Sequence, residues 1–236
     1  APYGLGVEPQ SETVWRQADG YRVPRICFVN KMDRVGANFR RCVDMIVERV
    51  NGNPVPLQLP YGEGADFGGI IDLIEMELIT YGNDEGTDIQ RHPIPESYRE
   101  AAETARQEMV EKIVENDDYL TEKYLMEEEV TNEELIGALR AATIASKLQP
   151  VLCGSALKNK GVQLMLDKVV ELLPSPLDVP AVKGTHPKTE EEITREASDH
   201  QTVAALVFKI LTDPYVGRLA FFRVYSGVVR AGSGLL

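Results

Sequence analysis

The sequence predicts a mixed α/β fold: part of a parallel sheet, an α+β insert, and then the start of an all-β domain. Two apolar runs, residues 25–29 and 150–153, each end abruptly in small polar residues. An amphipathic helical pattern follows each run, at 38–50 and 162–173. Strands that alternate with helices in this way indicate a parallel sheet, and ligands of such sheets bind at the carboxyl ends of the strands.

Composition limits the class of protein. The 236 residues are 43% hydrophobic and include no apolar run of the roughly 20 residues that a membrane helix needs. The N-terminus lacks the pattern of a signal peptide. Cys27, Cys42 and Cys153 are scattered, which favours free thiols in a reducing compartment. We therefore expect a cytoplasmic protein without membrane contact, and the three histidines have no metal-ligand spacing.

The net charge of −12 argues against a surface that coats nucleic acid. The acidic residues are concentrated in the segment 95–134, which holds 14 acidic and 4 basic side chains. Two interpretations remain open for this segment. It is either a solvated helical surface or a docking face for a basic partner.

The region between the two apolar runs predicts strands followed by helices. Residues 68–82 have the pattern of two short strands, and the helical pattern begins near Ser97. Ser97 with Glu100, and Thr131 with Glu134, each fit the capping box that opens a helix.

The C-terminal part begins with a stiff linker. The stretch PSPLDVP at 174–180 predicts a domain boundary, and an acidic loop follows it. Residues 203–211 and 218–225 then predict two strands joined by a turn at 213–217.

The polar residues after the two apolar runs suit the edge of a guanine base. A carboxylate at Asp33 can accept hydrogen bonds from N1–H and the 2-amino group together. Asn30 can brace the loop and donate to N7, while Lys31 lays its methylene stem along the base. The Ala156 N–H can donate to the keto oxygen, with Ser155 holding its loop closed. The competing interpretation is a strand-terminating turn with an Asx cap for the first cluster, and a simple helix cap for Ser155.

The chemistry of phosphate transfer has no corresponding motif. No Gly-x-x-x-x-Gly-Lys-Ser/Thr loop occurs in the sequence, and that loop binds phosphates and supplies a ligand to Mg²⁺. We therefore assign no catalytic residue and no metal ligand, and we expect the chain by itself to be inactive.

Three segments together resemble the family of bacterial elongation factor G. They are GVEPQSETVWRQADGYRVPRICFVNKMDRVGANF, PVLCGSALKNKGVQLMLDKVVELLPSPLDVP and VFKILTDPYVGRLAFFRVYSG. The resemblance covers about residues 6–230. It implies a P-loop-GTPase-type parallel sheet interrupted by an insert, and a β-barrel domain after it.

The resemblance also implies the domain limits. The nucleotide-binding domain would comprise 1–51 and 147–176, with an α+β insert subdomain at 52–146 between them. A linker at 177–199 would lead into the truncated barrel at 200–236. On this interpretation the chain is an internal fragment, since the family's phosphate loop and switch segments have no counterpart in it.

Function and partners follow from the same resemblance. The family is a ribosomal translocase that binds and hydrolyses GTP to move tRNA and mRNA. The implied cofactors are GTP or GDP, with Mg²⁺ in the full-length family, and the implied partners are the ribosome and its stalk protein, the latter through the acidic insert helices. The implied guanine-contacting residues are Asn30, Lys31, Asp33, Ser155, Ala156 and Leu157.

Two alternatives stay open. In one, the chain is a non-catalytic interaction module that docks to the ribosomal stalk and binds no nucleotide. In the other, it is part of a ribosomal-protection GTPase of the tetracycline-resistance type, which shares the architecture.

Overall fold

A computed structural model describes residues 6–83, 85–186 and 188–234. The chain divides into two compact units, Ala1–Leu173 and Pro174–Leu236. The division coincides with the start of the proline-containing stretch that the sequence indicated as a boundary.

The first unit contains a three-stranded parallel sheet, as the alternation of strands and helices predicted. Its strands are β1 (Cys27–Val29), β2 (Pro54–Pro56) and β7 (Gln149–Cys153), in the order β1-β7-β2. Every residue of the central β7 is buried, whereas β1 is only half-buried. The predicted α/β class is therefore confirmed.

Three helices flank these strands in the sequence: α1 (Pro9–Gly20) before β1, α2 (Phe39–Val50) between β1 and β2, and α6 (Val162–Leu172) after β7. The Asn38 side chain caps α2 by accepting the Arg41 N–H at 2.8 Å. The buried face of α2 includes Phe39, Val43 and Ile46, as its apolar spacing predicted.

A second, antiparallel sheet lies between β2 and β7 in the sequence. Its strands follow the order β3 (Gln58–Tyr61), β4 (Gly69–Asp72), β5 (Glu77–Tyr81) and β6 (Ile89–Pro93). The helices α3 (Glu96–Val114), α4 (Asp118–Leu125) and α5 (Asn132–Ile144) come next. The sequence analysis missed β6, because all five of its side chains are exposed and give no apolar alternation.

The antiparallel sheet and the parallel sheet share one core. Ile70 on β4 and Ile79 on β5 are fully buried in the same cluster as Val151 and Cys153 on β7. Burial of side chains of this size stabilises the fold by about 1.5–3 kcal/mol each. The insert is therefore packed against the parallel sheet rather than tethered to it.

The resemblance implied an insert from residue 52, and a strand of the parallel sheet follows that residue directly. Pro54–Pro56 pairs in parallel with β7, so these residues belong to the parallel sheet. The Leu57 N–H continues the contact by donating to the Val151 carbonyl at 2.9 Å. The domain limits, including the one at residue 52, stay predictions.

One of the two predicted capping boxes forms. The Thr131 side chain accepts from the Glu134 N–H, and the Glu134 carboxylate accepts from the Thr131 N–H, at the start of α5. The box at Ser97 and Glu100 was wrong. Helix α3 already begins at Glu96 after the extended Pro95, so Ser97 lies inside the first turn.

The second unit consists of two hairpins in its described residues. The strands β8 (Val182–Thr185) and β9 (Glu192–Arg195) pair in the stretch expected to be linker and acidic loop. Because their side chains are mostly exposed, they too lack an apolar pattern. The two predicted strands are β10 (Ala204–Asp213) and β11 (Gly217–Ser226). A closed barrel stays a prediction.

The cysteines are free thiols in the structure. Cys42 and Cys153 are buried and Cys27 is partly buried. Burial raises the pKa of Cys27 to about 11, against the opposing charge of Arg25. These thiols therefore remain protonated at neutral pH and are poor nucleophiles.

None of the helices in the described residues combines the length and the apolar character that crossing a membrane requires.

The capping box makes a stability prediction. Thr131→Ala should lower the free energy of unfolding by about 1 kcal/mol, because it removes the acceptor for an N–H of the first turn. Urea unfolding followed by circular dichroism measures this loss. The matched control, Ser97→Ala, should change stability by less than about 0.5 kcal/mol. Equal losses in the two variants would contradict the assignment of the caps.

Candidate functional site

Two loops leave the carboxyl ends of β1 and β7 and meet beside them. We name them the Asp33 loop, residues 30–37, and the Ser155 loop, residues 154–161. The Gly154 N–H donates to the Val29 carbonyl at 3.0 Å, and the Met32 N–H donates to the Gly154 carbonyl at 3.1 Å. The parallel pairing of β1 with β7 thus continues into the loops and brings the two polar clusters together.

Asn30 joins the two loops through its side chain. Its carboxamide oxygen accepts the Lys31 N–H at 2.8 Å and the Ala156 N–H at 2.9 Å. The bracing expected of Asn30 is therefore present. The Ala156 N–H, expected to face a base, is bonded to Asn30 here. A contact from that N–H to a keto oxygen would have to share or replace this bond.

The Asp33 loop turns sharply at Lys31. Lys31 has φ of +64°, in the left-handed region that costs a residue with a Cβ on the order of 1 kcal/mol. Its side chain remains exposed, while the next residue, Met32, is 1% exposed in the core. The buried Met32 holds the turn in place, and the strained Lys31 directs its chain away from the core.

The sequence predicted that the Ser155 hydroxyl closes its loop. In the structure the backbone closes the loop instead. The Ser155 N–H donates to the Lys160 carbonyl at 2.9 Å, and the Lys160 N–H donates back at 3.0 Å. Ser155 is 1% exposed, and among the described residues its hydroxyl has no hydrogen-bond partner within its own loop. The hydroxyl acts instead on the Asp33 carboxyl group, whose pKa it lowers.

Asp33 is held in its ionised form. Its pKa is lowered chiefly by the Ser155 hydroxyl, against the opposing effect of burial, and further by its own N–H, Lys158 and Arg34. The Lys158 ammonium lies 3.8 Å from the carboxylate, whose side chain is 14% exposed. Asp33 is therefore a charged acceptor at the surface of the site at neutral pH.

Two residues near these loops were not found by sequence reasoning. Lys158 is the ion-pair partner of Asp33. Glu63, in the turn between β3 and β4, accepts the Phe39 N–H at 2.8 Å behind the Asp33 loop. No spacing rule links residues so far apart in sequence. Leu157, which the resemblance implied, is 87% exposed beside Lys158.

The described residues contain no group of three or more His, Cys, Asp or Glu side chains arranged to hold a metal ion. The chemistry available at the site is charged and neutral hydrogen bonding by Asp33, Asn30 and backbone N–H groups.

Comparison with known proteins defines the class. The family model of the elongation factor Tu GTP-binding domain matches residues 3–175, most of the chain. The chain therefore belongs to this family of translational GTPases, whose domain binds a guanine nucleotide.

A solved structure shares the fold of the chain. The crystal structure of a protein from Thermus thermophilus is 31% identical to the chain, with a TM-score of 0.76 over 94% of it. The chain spans 30% of the length of that protein.

The environment of Asp33 predicts a titration result. Ser155→Ala should raise the pKa of the Asp33 carboxyl, because it removes the largest of the influences that lower it. Lys158→Gln should raise it by less. Carboxyl ¹³C NMR titration measures both shifts.

The lowered pKa of Asp33 also determines how the stability of the protein depends on pH. Because the folded-state pKa is lowered, the contribution of Asp33 to stability is present above its unfolded value of about 3.9 and is lost as the pH falls through the folded value. An unchanged Asp33 pKa in Ser155→Ala would contradict this account of the site.

Proposed function

We propose that this chain is the base-binding part of a ribosomal translocase that resembles elongation factor G. The single observation that supports the proposal most is the meeting of the two loops, with the Asn30 carboxamide bonded to the Ala156 N–H and Asp33 ionised beside them. The proposed role is binding of GTP or GDP in the cytoplasm, within a protein that hydrolyses GTP during translation.

In this proposal Asp33 accepts N1–H and the 2-amino group of guanine with its two carboxylate oxygens. The Ser155 hydroxyl and the Lys158 ammonium keep the carboxylate charged before the base arrives. Lys31 is exposed and turned outward, so its stem is free to cover a face of the base. Ala156 donates to the keto oxygen once the bond to Asn30 is shared or released.

Hydrolysis is assigned to the whole protein and not to these 236 residues. No phosphate loop occurs in the sequence, and the described residues contain no group of three or more His, Cys, Asp or Glu side chains that could hold a metal ion. Phosphoryl transfer depends on positioned charges around the γ-phosphate. The inactivity of this chain by itself accordingly stays a prediction.

Asp33→Asn tests the proposed base contact. The change keeps the shape but replaces an acceptor with a donor, which suits the C2 carbonyl of xanthine and not the 2-amino group of guanine. In the natural protein at full length, GDP affinity should fall about tenfold or more while affinity for xanthosine diphosphate rises. Competition with a fluorescent nucleotide measures both.

Asp167→Asn is the matched control, because Asp167 is exposed on α6 and lies outside both loops. Its nucleotide preference should equal that of the unaltered protein. Undiminished GDP preference in Asp33→Asn would show that Asp33 does not contact the base.

A second role, docking of a basic partner, is favoured by the hydrogen bonds that two basic side chains of the acidic helix α3 make. Arg106 donates to the Leu73 and Ile74 carbonyls, and Lys112 donates to the Pro54 carbonyl. These two cations are turned toward the sheets, which leaves the outer surface of α3 more negative than its composition indicates. The proposed partner is the stalk protein of the ribosome.

Glu100 and Glu103, both exposed on α3, provide the test of docking. Changing both to Gln should weaken association with a stalk-protein domain several-fold, by roughly the effect expected for rim charges, and the loss should shrink as salt screens the remaining charge. Surface plasmon resonance at two salt concentrations measures it. Glu48→Gln on α2 is the control, and no association by the unaltered protein would reject the docking role.

A further inference from the structure

The antiparallel sheet touches both loops of the candidate site through two of its turns. The first, the Glu63 turn, comprises residues 62–66 between β3 and β4. The second, the Gly86 turn, is represented by Glu85 and Gly86 between β5 and β6. Neither turn contributes a residue to the predicted guanine contacts.

The Glu63 turn contacts the Asp33 loop from behind. The Gly64 N–H donates to the Met32 carbonyl at 2.8 Å, and the Glu63 carboxylate accepts the Phe39 N–H at 2.8 Å. A Cβ at Gly64 would lie 3.4 Å from the Arg34 carbonyl oxygen. The residues on both sides of Asp33 are thereby fixed to the insert.

The Gly86 turn contacts the Ser155 loop at closer range. The Asn159 side-chain amide donates to the Glu85 carbonyl at 3.2 Å, and the Gln163 amide donates to the Gly86 carbonyl at 3.0 Å. A Cβ at Gly86 would lie 2.5 Å from the Asn159 carbonyl oxygen and 2.6 Å from that of Lys158. Only glycine permits the two backbones to approach this closely, and φ of +66° at Gly86 also favours it.

Tyr81, at the end of β5, holds the last residue of the Ser155 loop. Its hydroxyl accepts the Gly161 N–H at 2.6 Å, directly before α6 begins. The Lys160 ammonium lies 5.9 Å from the centre of the Tyr81 ring. The Ser155 loop is thus bonded to Asn30 at Ala156, near its start, and to the insert at Asn159 and Gly161, near its end.

We propose that Gly86, Tyr81 and Glu63 are positioning residues that hold the two base-contacting loops in register, so that the insert determines the affinity and the base selectivity of the site. The inference rests on the proposed function, because it takes the two loops to contact guanine. Loops are the most mobile parts of a fold, and selectivity requires donors and acceptors held at fixed distances.

Gly86→Ala in the natural protein at full length tests the inference. The added methyl group should displace the Ser155 loop, and with it the Ala156 N–H that is proposed to donate to the keto oxygen. GDP should bind about tenfold more weakly. 2-Aminopurine riboside diphosphate keeps the 2-amino group but lacks the keto oxygen and the N1–H, so it has no contact with the Ala156 N–H to lose and its weaker affinity should change less than about threefold. Loss of folded protein would lower both affinities by one factor, so the ratio of affinities identifies positioning.

Gly217→Ala is the matched control. Gly217 also has a left-handed φ, of +86°, but a Cβ there meets no atom within 4 Å. It carries the same backbone strain in the second unit and should leave both affinities unchanged. A folded Gly86→Ala protein with unaltered GDP affinity, or with equal losses for both nucleotides, would overturn the inference.

If Gly86→Ala does not fold, Tyr81→Phe tests the inference instead. It keeps the ring and removes the acceptor of the Gly161 N–H, so GDP affinity should fall several-fold with a smaller change for the analogue. Unchanged GDP affinity in a folded Tyr81→Phe protein overturns the inference. Failure of the unaltered protein to bind GDP would instead reject the proposed function, so the two failures are distinct.

Discussion

The hydrogen bond from the Ala156 N–H to the Asn30 carboxamide joins two loops that lie 126 positions apart in sequence. It forms because β1 and β7 are parallel neighbours, so their carboxyl ends reach the same edge of the sheet. Ser155 then lies beside Asp33 and keeps its carboxylate charged. The electrostatics of the site are therefore a consequence of strand pairing.

The insert lies in the sequence between β2 and β7, and these two strands are neighbours in the parallel sheet. The chain leaves the parallel sheet after Pro56, forms four antiparallel strands and three helices, and returns at Gln149. Ile70 and Ile79 share a buried cluster with Met32 of the Asp33 loop and with Cys153, which directly precedes the Ser155 loop. The insert is therefore not a peripheral addition, because its side chains pack beneath the candidate site.

Part of the site was predictable because a local pattern specified it. An apolar run that ends in Asn30 and Asp33 indicates a strand with a polar carboxyl end, and Ser155 follows a second such run. The support of the site had no local pattern. Gly86 and Glu63 act through backbone approach and a single long-range hydrogen bond, which leave no periodicity in the sequence. Strands β6, β8 and β9 were missed for a related reason, since exposed strands pair through backbone groups alone.

The sequence by itself determined the class of fold, the position of both polar clusters and the helices with an apolar face, because burial requires the right side chains at the right period. Only the tertiary structure decided that the Ala156 N–H is bonded to Asn30, that Lys158 pairs with Asp33, and that the insert contacts both loops. Those contacts depend on which surfaces meet after the chain has folded, and residues distant in sequence carry no local signal of their meeting.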